Sequence, residues 1–352
     1  MRCRPFTHRR GPPAGNGRLS GHSNASRHGL RLLGLRLSRC LRGGLRTSWP
    51  DQGQLRRWSS AGRPTGRHLA YTRIGAVAAV AEPCAVNAAV GLVSWRLPGR
   101  LQDSPSLAAR VGARRLQIDY GGNRRAYELT PSTTRQLRSQ ADSEGIAITA
   151  VAVNALNDLG VTSADRQDQM AIGALTRKAI DAAVALDAPA VLIPAFRRSA
   201  IRTSHDATAT AAFLVRIAQL AATAELVVVH ENVLEPAKLI TLREAVHAAG
   251  VRVLFDIGNL HEHRIDWQAY LAEATPVLHS EAHIKDHRSG PAGDIALGCG
   301  RVPLGPAVEA LLRTRIVDGF VVETDHRDHG EAQIRADLAA LTNLIDDNGS
   351  AE

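Results

Sequence analysis

The chain has 352 residues, 44% of them apolar, which is enough for one large domain or two smaller ones with a substantial core and excludes a chain disordered throughout. A formal net charge of +9 would ordinarily point to nucleic acid or an anionic membrane as partner. The charge is unevenly placed, however: residues 1–84 carry 16 Arg, no Lys and only Asp51 and Glu82, a net +14, whereas residues 85–352 carry 27 basic against 32 acidic residues, a net −5, which is unfavourable for nucleic-acid affinity in the body of the chain.

The first 84 residues are rich in Gly, Ser, Pro and Arg and lack a sustained apolar period, so they are predicted to be a disordered leader and not part of the fold. Within them, Leu30 to Arg46 interleaves leucines with Arg31, Arg36, Arg39, Arg42 and Arg46, the pattern of an organellar transit peptide or a membrane-surface helix. Gly34, Gly43 and Gly44 weaken that helix. A start placed too far upstream is a further origin, because Lys178, Lys238 and Lys285 are the only lysines and the Arg bias looks like GC-rich coding. A nucleic-acid arm is the last origin, disfavoured by the few aromatics that accompany the charge; targeting therefore stays open, and the expected location of the remaining protein is the cytoplasm. No run of 18 uncharged apolar residues is present, so no membrane association is expected of the body. Cys3, Cys40, Cys84 and Cys299 have no CxxC spacing that would indicate a zinc cluster.

From Ala85 onward, strand-like and helix-like blocks alternate. The strand Val90 to Trp95 precedes a helix from Pro105 to Val111; Arg115 to Tyr120 precedes Pro131 to Glu144; Ile146 to Val153 precedes Ala164 to Leu186; and Ala190 to Pro194 precedes Asp206 to Ala224. The pattern continues with Leu226 to Glu231 and Pro236 to Ala249, Arg252 to Asp256 and Trp267 to Ala274, Glu281 to Lys285 and Pro306 to Arg313, and Phe320 to Glu323 and Glu331 to Ile345. Pro105, Pro131 and Pro306 sit at first-turn positions, and Gly112, Gly145 and Gly250 mark helix ends. Eight strand-helix repeats in residues 85–352 predict a (β/α)8 TIM barrel preceded by the Arg-rich extension. An open doubly wound sheet is less well supported, since Trp95-Arg96-Leu97-Pro98-Gly99 after the first strand is no GxGxxG phosphate loop.

Four of the strands end on metal-binding side chains. They are His230-Glu231-Asn232, Asp256-Ile257-Gly258-Asn259, His283-Ile284-Lys285-Asp286 and Glu323-Thr324-Asp325, separated by steps of 25, 27 and 40 residues that suit successive strand-helix units. In a parallel barrel the C-terminal strand ends converge on one face, so Glu231, Asp256, His283 and Glu323 are expected to meet at one point. Three carboxylates and one imidazole suit one divalent ion, with Mn²⁺ first and Mg²⁺, Co²⁺ or Zn²⁺ also compatible. Period-two geometry puts Glu281 and Lys285 inward with His283, and Val227 and Val229 in the core with Glu231, while His230 faces outward as a packed histidine. Lys285 at the mouth could hold a substrate oxygen or pair with Asp286. Asn259 is a candidate substrate contact or a turn residue, Arg288 a candidate anion holder, and Trp95 and Phe196 candidate pocket walls, although ordinary core is the commoner role for such residues. His261 and His263 read as loop residues, and Leu297 to Pro303 as a flexible loop over the mouth, its glycines equally compatible with plain turns.

Together these stretches, with Ile193-Pro194-Ala195-Phe196 and Gly298-Cys299-Gly300, resemble the sugar phosphate isomerase/epimerase family of xylose isomerase-like TIM barrels over residues 88 to 346. The resemblance implies that the positions of Glu231, Asp256, His283 and Glu323 bind one divalent metal and that the two glutamates exchange protons with the substrate. It departs at Asn259, where several ketose epimerases have His, and at Cys299, where the family often has an acidic residue. The expected activity is isomerisation or epimerisation of a sugar, sugar phosphate or related keto-polyol through an enediolate, by a protein that could form homo-oligomers. An inosose-type dehydratase on the same scaffold is the alternative, followed by an apurinic-endonuclease-like hydrolase and a non-catalytic binding barrel. Because the leader's composition cannot offset the entropy of ordering it, a chain beginning at residue 85 is expected to fold and to retain activity. Circular dichroism and turnover of the truncated protein check this, and an insoluble or inactive product would make the leader a working part.

Overall fold

The computed structural model describes residues 88–121, 129–288 and 293–349. The leader at residues 1–84, with the disorder and targeting expected of it, lies outside the described residues. In chain order the elements are β1 (Ala89–Val93), α1 (Ser104–Val111), β2 (Arg115–Asp119), α2 (Pro131–Glu144), β3 (Ala147–Ala152), α3 (Leu156–Leu159), α4 (Arg166–Leu186), β4 (Ala190–Pro194) and α5 (Ser204–Ala222). They continue with β5 (Val227–Glu231), α6 (Pro236–Val246), β6 (Arg252–Asp256), α7 (Ile257–Glu262), α8 (Trp267–Ala274), β7 (Leu278–Ile284), β8 (Asp286–His287), β9 (Asp294–Ile295), α9 (Leu304–Arg313), β10 (Gly319–Val322) and α10 (Glu331–Gly349).

Eight parallel strands close into a barrel in the order β1-β10-β7-β6-β5-β4-β3-β2, the TIM architecture expected from the repeat. Local chemistry starts and stops the helices. The Thr130 hydroxyl accepts the Thr133 amide ahead of Pro131 in α2, the Asp165 carboxylate accepts two amides at the start of α4, and Thr203 and Asp206 form a reciprocal capping box on α5. Gly112 and Gly145 close α1 and α2 in the left-handed conformation.

Two apolar layers result from the alternation of the strands. Outward residues such as Leu116, Ile118, Phe255 and Phe320 pack with the helices into one large cluster, each fully buried large side chain contributing about 1.5–3 kcal/mol. Ala150, Ala152, Ala190, Leu192, Val229 and Leu254 form a second, smaller cluster that by strand parity fills the barrel interior beneath Trp95. That interior cluster comes only from β3 to β6. The side formed by β2 and β7 is filled instead by the polar residues Gln117, Glu281 and His283, all buried.

Several local expectations are corrected. Val227 is at the first position of β5, where the strand has not yet entered the core, and is 38% exposed. His261 lies inside the short helix α7 and His263 caps it, because the Asp256 carboxylate accepts the Asn259 amide and starts a helical turn where a loop was expected. β1 ends at Val93, so Trp95 sits in the 3-10 turn Ser94–Arg96. The antiparallel ribbon of β8 and β9 was not foreseen. Among the described residues no helix is long and apolar enough to cross a membrane.

Candidate metal centre and the cavity above it

Strand register brings the four predicted ligands together. Asp256 pairs with His283 across β6 and β7, Val321 pairs with His283 across β10 and β7, and the Glu323 amide continues that ladder by donating to the Ile284 carbonyl at 2.9 Å. One ligand atom from each of Glu231, Asp256, His283 and Glu323 lies within 4.8 Å of the others, and all four residues are buried. His230 faces the other way, its Nδ1 bonded to the Ile193 carbonyl at 2.9 Å, and burial pushes its imidazole down to about 4. It is the packed histidine that strand parity required.

Lys285 enters the cluster, with Nζ 2.8 Å from Glu323 Oε2 and 3.1 Å from Asp256 Oδ2. It is buried and lines the cavity, but its partners are these two carboxylates and not Asp286. A Cβ on Gly258 would stand 2.3 Å from Lys285 Cγ, so the absence of a side chain there is what admits the lysine stem. Asn259 donates its side-chain amide to Glu231 Oε1 at 2.7 Å, and the Trp95 indole N–H donates to Glu323 Oε1 at 2.9 Å. Each glutamate thus has one oxygen held by a neutral donor.

Burial and the neighbouring Glu323 carboxylate push Glu231 up to about 8. Asp256 is also raised by burial, which outweighs the pull of Lys285. Burial opposes charge on His283 and Lys285 as well, but the surrounding carboxylates, Glu323 foremost for His283 and Asp256 for Lys285, raise His283 to about 9 and hold Lys285 above its usual range. Glu323 is held well below the carboxylate range despite its burial, by Lys285 and then His283. Three crowded carboxylates are short of positive charge: His283 Nδ1 is buried without a hydrogen-bond partner, and Asp256 Oδ2 has only the Lys285 ammonium, 3.1 Å away. A donor set of three carboxylates and one imidazole, with that imidazole nitrogen left unpartnered, fits a divalent cation.

A cavity of about 520 Å³ opens above the cluster. Glu231 and Glu323 line it, whereas Asp256 and His283 do not. Trp95 and Phe196 line it, and Asn259 and Lys285 contribute to its floor. Arg288 is exposed and outside the lining; the guanidinium groups that do line it belong to Arg96, Arg197 and Arg327. Arg96 and Arg327 both pair with Asp325, and Arg197 pairs with Asp158 at 2.7 Å. Sequence reasoning missed these arginines, as it missed Asp119 and Asn154, which line the cavity with the Asn154 amide on the Asp119 carboxylate at 2.9 Å. Alternation in Arg115-Leu-Gln-Ile-Asp119 held the signal for β2, since it turns three polar side chains toward the barrel axis.

The segment expected to be a flexible loop is anchored instead. The Asp286 carboxylate accepts the backbone amides of His287, Gly298, Gly300 and Val302, and the Leu297 amide donates to Asp337, which also receives His326 Nε2 at 2.9 Å. None of residues 297–303 lines the cavity.

Comparison with known proteins adds three findings. Residues 105–344 match the family described as xylose isomerase-like TIM barrel. The chain is 36% identical over 251 residues to 2-epi-5-epi-valiolone 7-phosphate 2-epimerase from Actinoplanes sp., covering 71% of this chain and 92% of the relative. Solved structures share the fold at lower identity: the IOLI protein with a bound zinc atom has a TM-score of 0.62 at 14% identity, covering 74% of this chain and 99% of that one. D-psicose 3-epimerase in the presence of D-fructose has a TM-score of 0.60 at 15% identity, covering 73% and 99%.

Metal ligands must be deprotonated, so binding releases protons. With Glu231 near 8 and His283 near 9 in the free site, affinity for Mn²⁺ is expected to rise with pH, by about tenfold per pH unit for each proton released, and to weaken as pH falls through these values. Titration calorimetry from about pH 6 to about pH 9, in buffers of different ionisation enthalpy, measures both affinity and proton release; a flat profile would contradict the site.

Proposed function

The chain belongs to the family of xylose isomerase-like TIM barrels, and from that premise we propose that it is a divalent-metal-dependent epimerase or isomerase of a phosphorylated keto-polyol. The observation that carries the reading is the division of labour in the cluster: of its four residues, only Glu231 and Glu323 line the cavity. All four would hold the ion, with Mn²⁺ assigned on the oxygen-dominated donor set. When bound, the ion supplies Lewis-acid polarisation of the substrate carbonyl and its neighbouring hydroxyl.

The two glutamates exchange protons with the carbon beside that carbonyl, one removing a proton to give an enediolate and the other returning one. Return to the opposite face of the same carbon inverts it, and return to the neighbouring carbon isomerises the substrate. Asn259 and Trp95 fix the carboxylates for this by each holding one oxygen. The Lys285 ammonium, at the cavity floor, is placed to donate to an oxygen on which negative charge develops. Trp95 and Phe196 supply apolar walls that limit water around the reacting carbon. A single four-residue cluster among the described residues supports one-ion proton transfer over multi-metal phosphodiester hydrolysis.

The phosphate is assigned from the relative's substrate together with the guanidinium groups of Arg96, Arg197 and Arg327 in the cavity, since Arg suits phosphate recognition.

Glu231→Gln and Glu323→Gln are each expected to lower turnover by about 10² to 10⁴ while weakening metal binding less, because an amide keeps an oxygen ligand but is no base. Product formed by the wild type in D₂O carries deuterium at the carbon beside the carbonyl, and the variants lose that exchange with turnover. Turnover without exchange would indicate a hydride shift, and loss of water from the product, seen by NMR, would indicate the dehydratase.

Arg197→Gln is expected to raise KM for a phosphorylated substrate about tenfold or more, with little change for its unphosphorylated analogue. Equal effects on both substrates would remove Arg197 from phosphate recognition.

A further inference from the structure

Below the metal centre, the polar half of the barrel interior is a connected column. Glu281 is buried, and its carboxylate accepts Gln117 Nε2 at 3.0 Å, the Thr149 hydroxyl at 2.9 Å and Arg115 Nη1 at 3.2 Å. Arg115 also reaches Asp318 at 3.0 Å, toward the opposite end of the barrel from the cavity. Above Gln117, its Oε1 lies 2.9 Å from His283 Nε2.

Donor chemistry fixes the direction of every bond in this column. A carboxylate paired with a guanidinium only accepts, so the Gln117 amide must turn its NH₂ to Glu281 and its oxygen to His283. That oxygen also only accepts, so His283 Nε2 must carry the hydrogen. The lone pair of the neutral ring is then on Nδ1, which lies 3.6 Å from Glu323 Oε2 and has no hydrogen-bond partner of its own.

The strands between are shaped for this column. β2 and β7 are not neighbours; β1 and β10 separate them. The interior positions facing Arg115 and Glu281 on those two strands are Gly91 and Gly319. A Cβ on Gly319 would stand 2.3 Å from Arg115 Nη1 and 3.0 Å from Glu281 Cγ, and one on Gly91 would stand 2.9 Å from Arg115 Cβ. Two strands thus give up interior side chains where the ion pair crosses.

We propose that Gln117 is a positioning residue of the metal centre, oriented by Glu281, that fixes His283 as the Nε2–H tautomer and so makes Nδ1 the ligand atom. The inference rests on the reading of Glu231, Asp256, His283 and Glu323 as ligands of a divalent ion. Hydrogen-bond partners behind a ligating histidine set its tautomer and orientation, and losing one costs about 10 to 100-fold in metal affinity.

The test uses the full chain with Gln117→Leu, Glu281→Gln and the exchange variant Gln117→Glu/Glu281→Gln. The exchange variant keeps an acceptor facing His283 and supplies it with a donor from position 281. Mn²⁺ affinity is read by calorimetry, and the His283 tautomer by ¹⁵N NMR of histidine-labelled protein, metal-free at high pH and with Zn²⁺. Gln117→Leu is expected to bind Mn²⁺ about 10 to 100-fold more weakly and to populate the Nδ1–H tautomer when metal-free, while the exchange variant recovers to within about threefold of wild type. Wild-type affinity and tautomer in Gln117→Leu overturn the proposal, as does a weakened Gln117→Leu that the exchange variant does not improve, which would make the column packing alone. Should Gln117→Leu not fold, Glu281→Gln decides: released from the carboxylate, the Gln117 amide is expected to populate both orientations and His283 both tautomers, and an unchanged single tautomer overturns the proposal. Failure of the wild type to bind any divalent ion would sink the ligand reading, and the metal-free NMR comparison would still decide the role of Gln117.

Discussion

Like charge at close range inside a barrel is the constraint on which the rest of this structure depends. At the 4.8 Å limit of the cluster, two ionised carboxylates repel by about 3 to 4 kcal/mol at an effective dielectric near 20. Glu231, Asp256 and Glu323 make three such pairs, and the Lys285 ammonium supplies one positive charge against them. The balance is left to imidazole protonation, to retention of protons on Glu231 and Asp256, or to a bound cation. The same shortage of charge explains both the opposite shifts of the two glutamates and the suitability of the site for a divalent ion.

The barrel answers this constraint by dividing its interior. Small and branched apolar residues fill the side made by β3 to β6, and a hydrogen-bonded column fills the side made by β2 and β7. A purely apolar filling would leave His283 Nε2 without a partner in a ring that is wholly buried. Lining this passage with glycines on β1 and β10 sacrifices packing on those strands in exchange for a carboxylate with three donors.

Periodicity in the chain was sufficient for the eight strand-helix units, because each strand is an apolar run or an alternation bounded by a helix signal. The four cluster residues were legible for a related reason: each closes such a run, and strand ends converge by geometry. What resisted reading depended on contacts between segments far apart in sequence. Nothing near Arg96, Arg197 or Arg327 distinguishes them from the many other arginines, and only the fold turns them toward one cavity. Lys285 was readable as inward, but its partners are Asp256 on β6 and Glu323 just past β10 rather than the adjacent Asp286, whose carboxylate is occupied by backbone amides. The loop at 297–303 was misread for the same cause: its glycines suggested freedom, while the anchors that hold it are side chains on other elements.

The contact between Gly258 and the Lys285 stem has an evolutionary consequence. The two positions are 27 residues apart on neighbouring strand-helix units, yet one cannot gain bulk while the other keeps its length. Divergence at these sites is therefore expected to proceed through a shorter side chain at 285 before any side chain appears at 258. Homologues that lack the lysine are expected to vary at the glycine, and those that keep it are expected to retain the glycine. Paired variation at these two sites would then sort members of the lineage by whether an internal ammonium accompanies the metal ligands, independently of what substrate each one turns over.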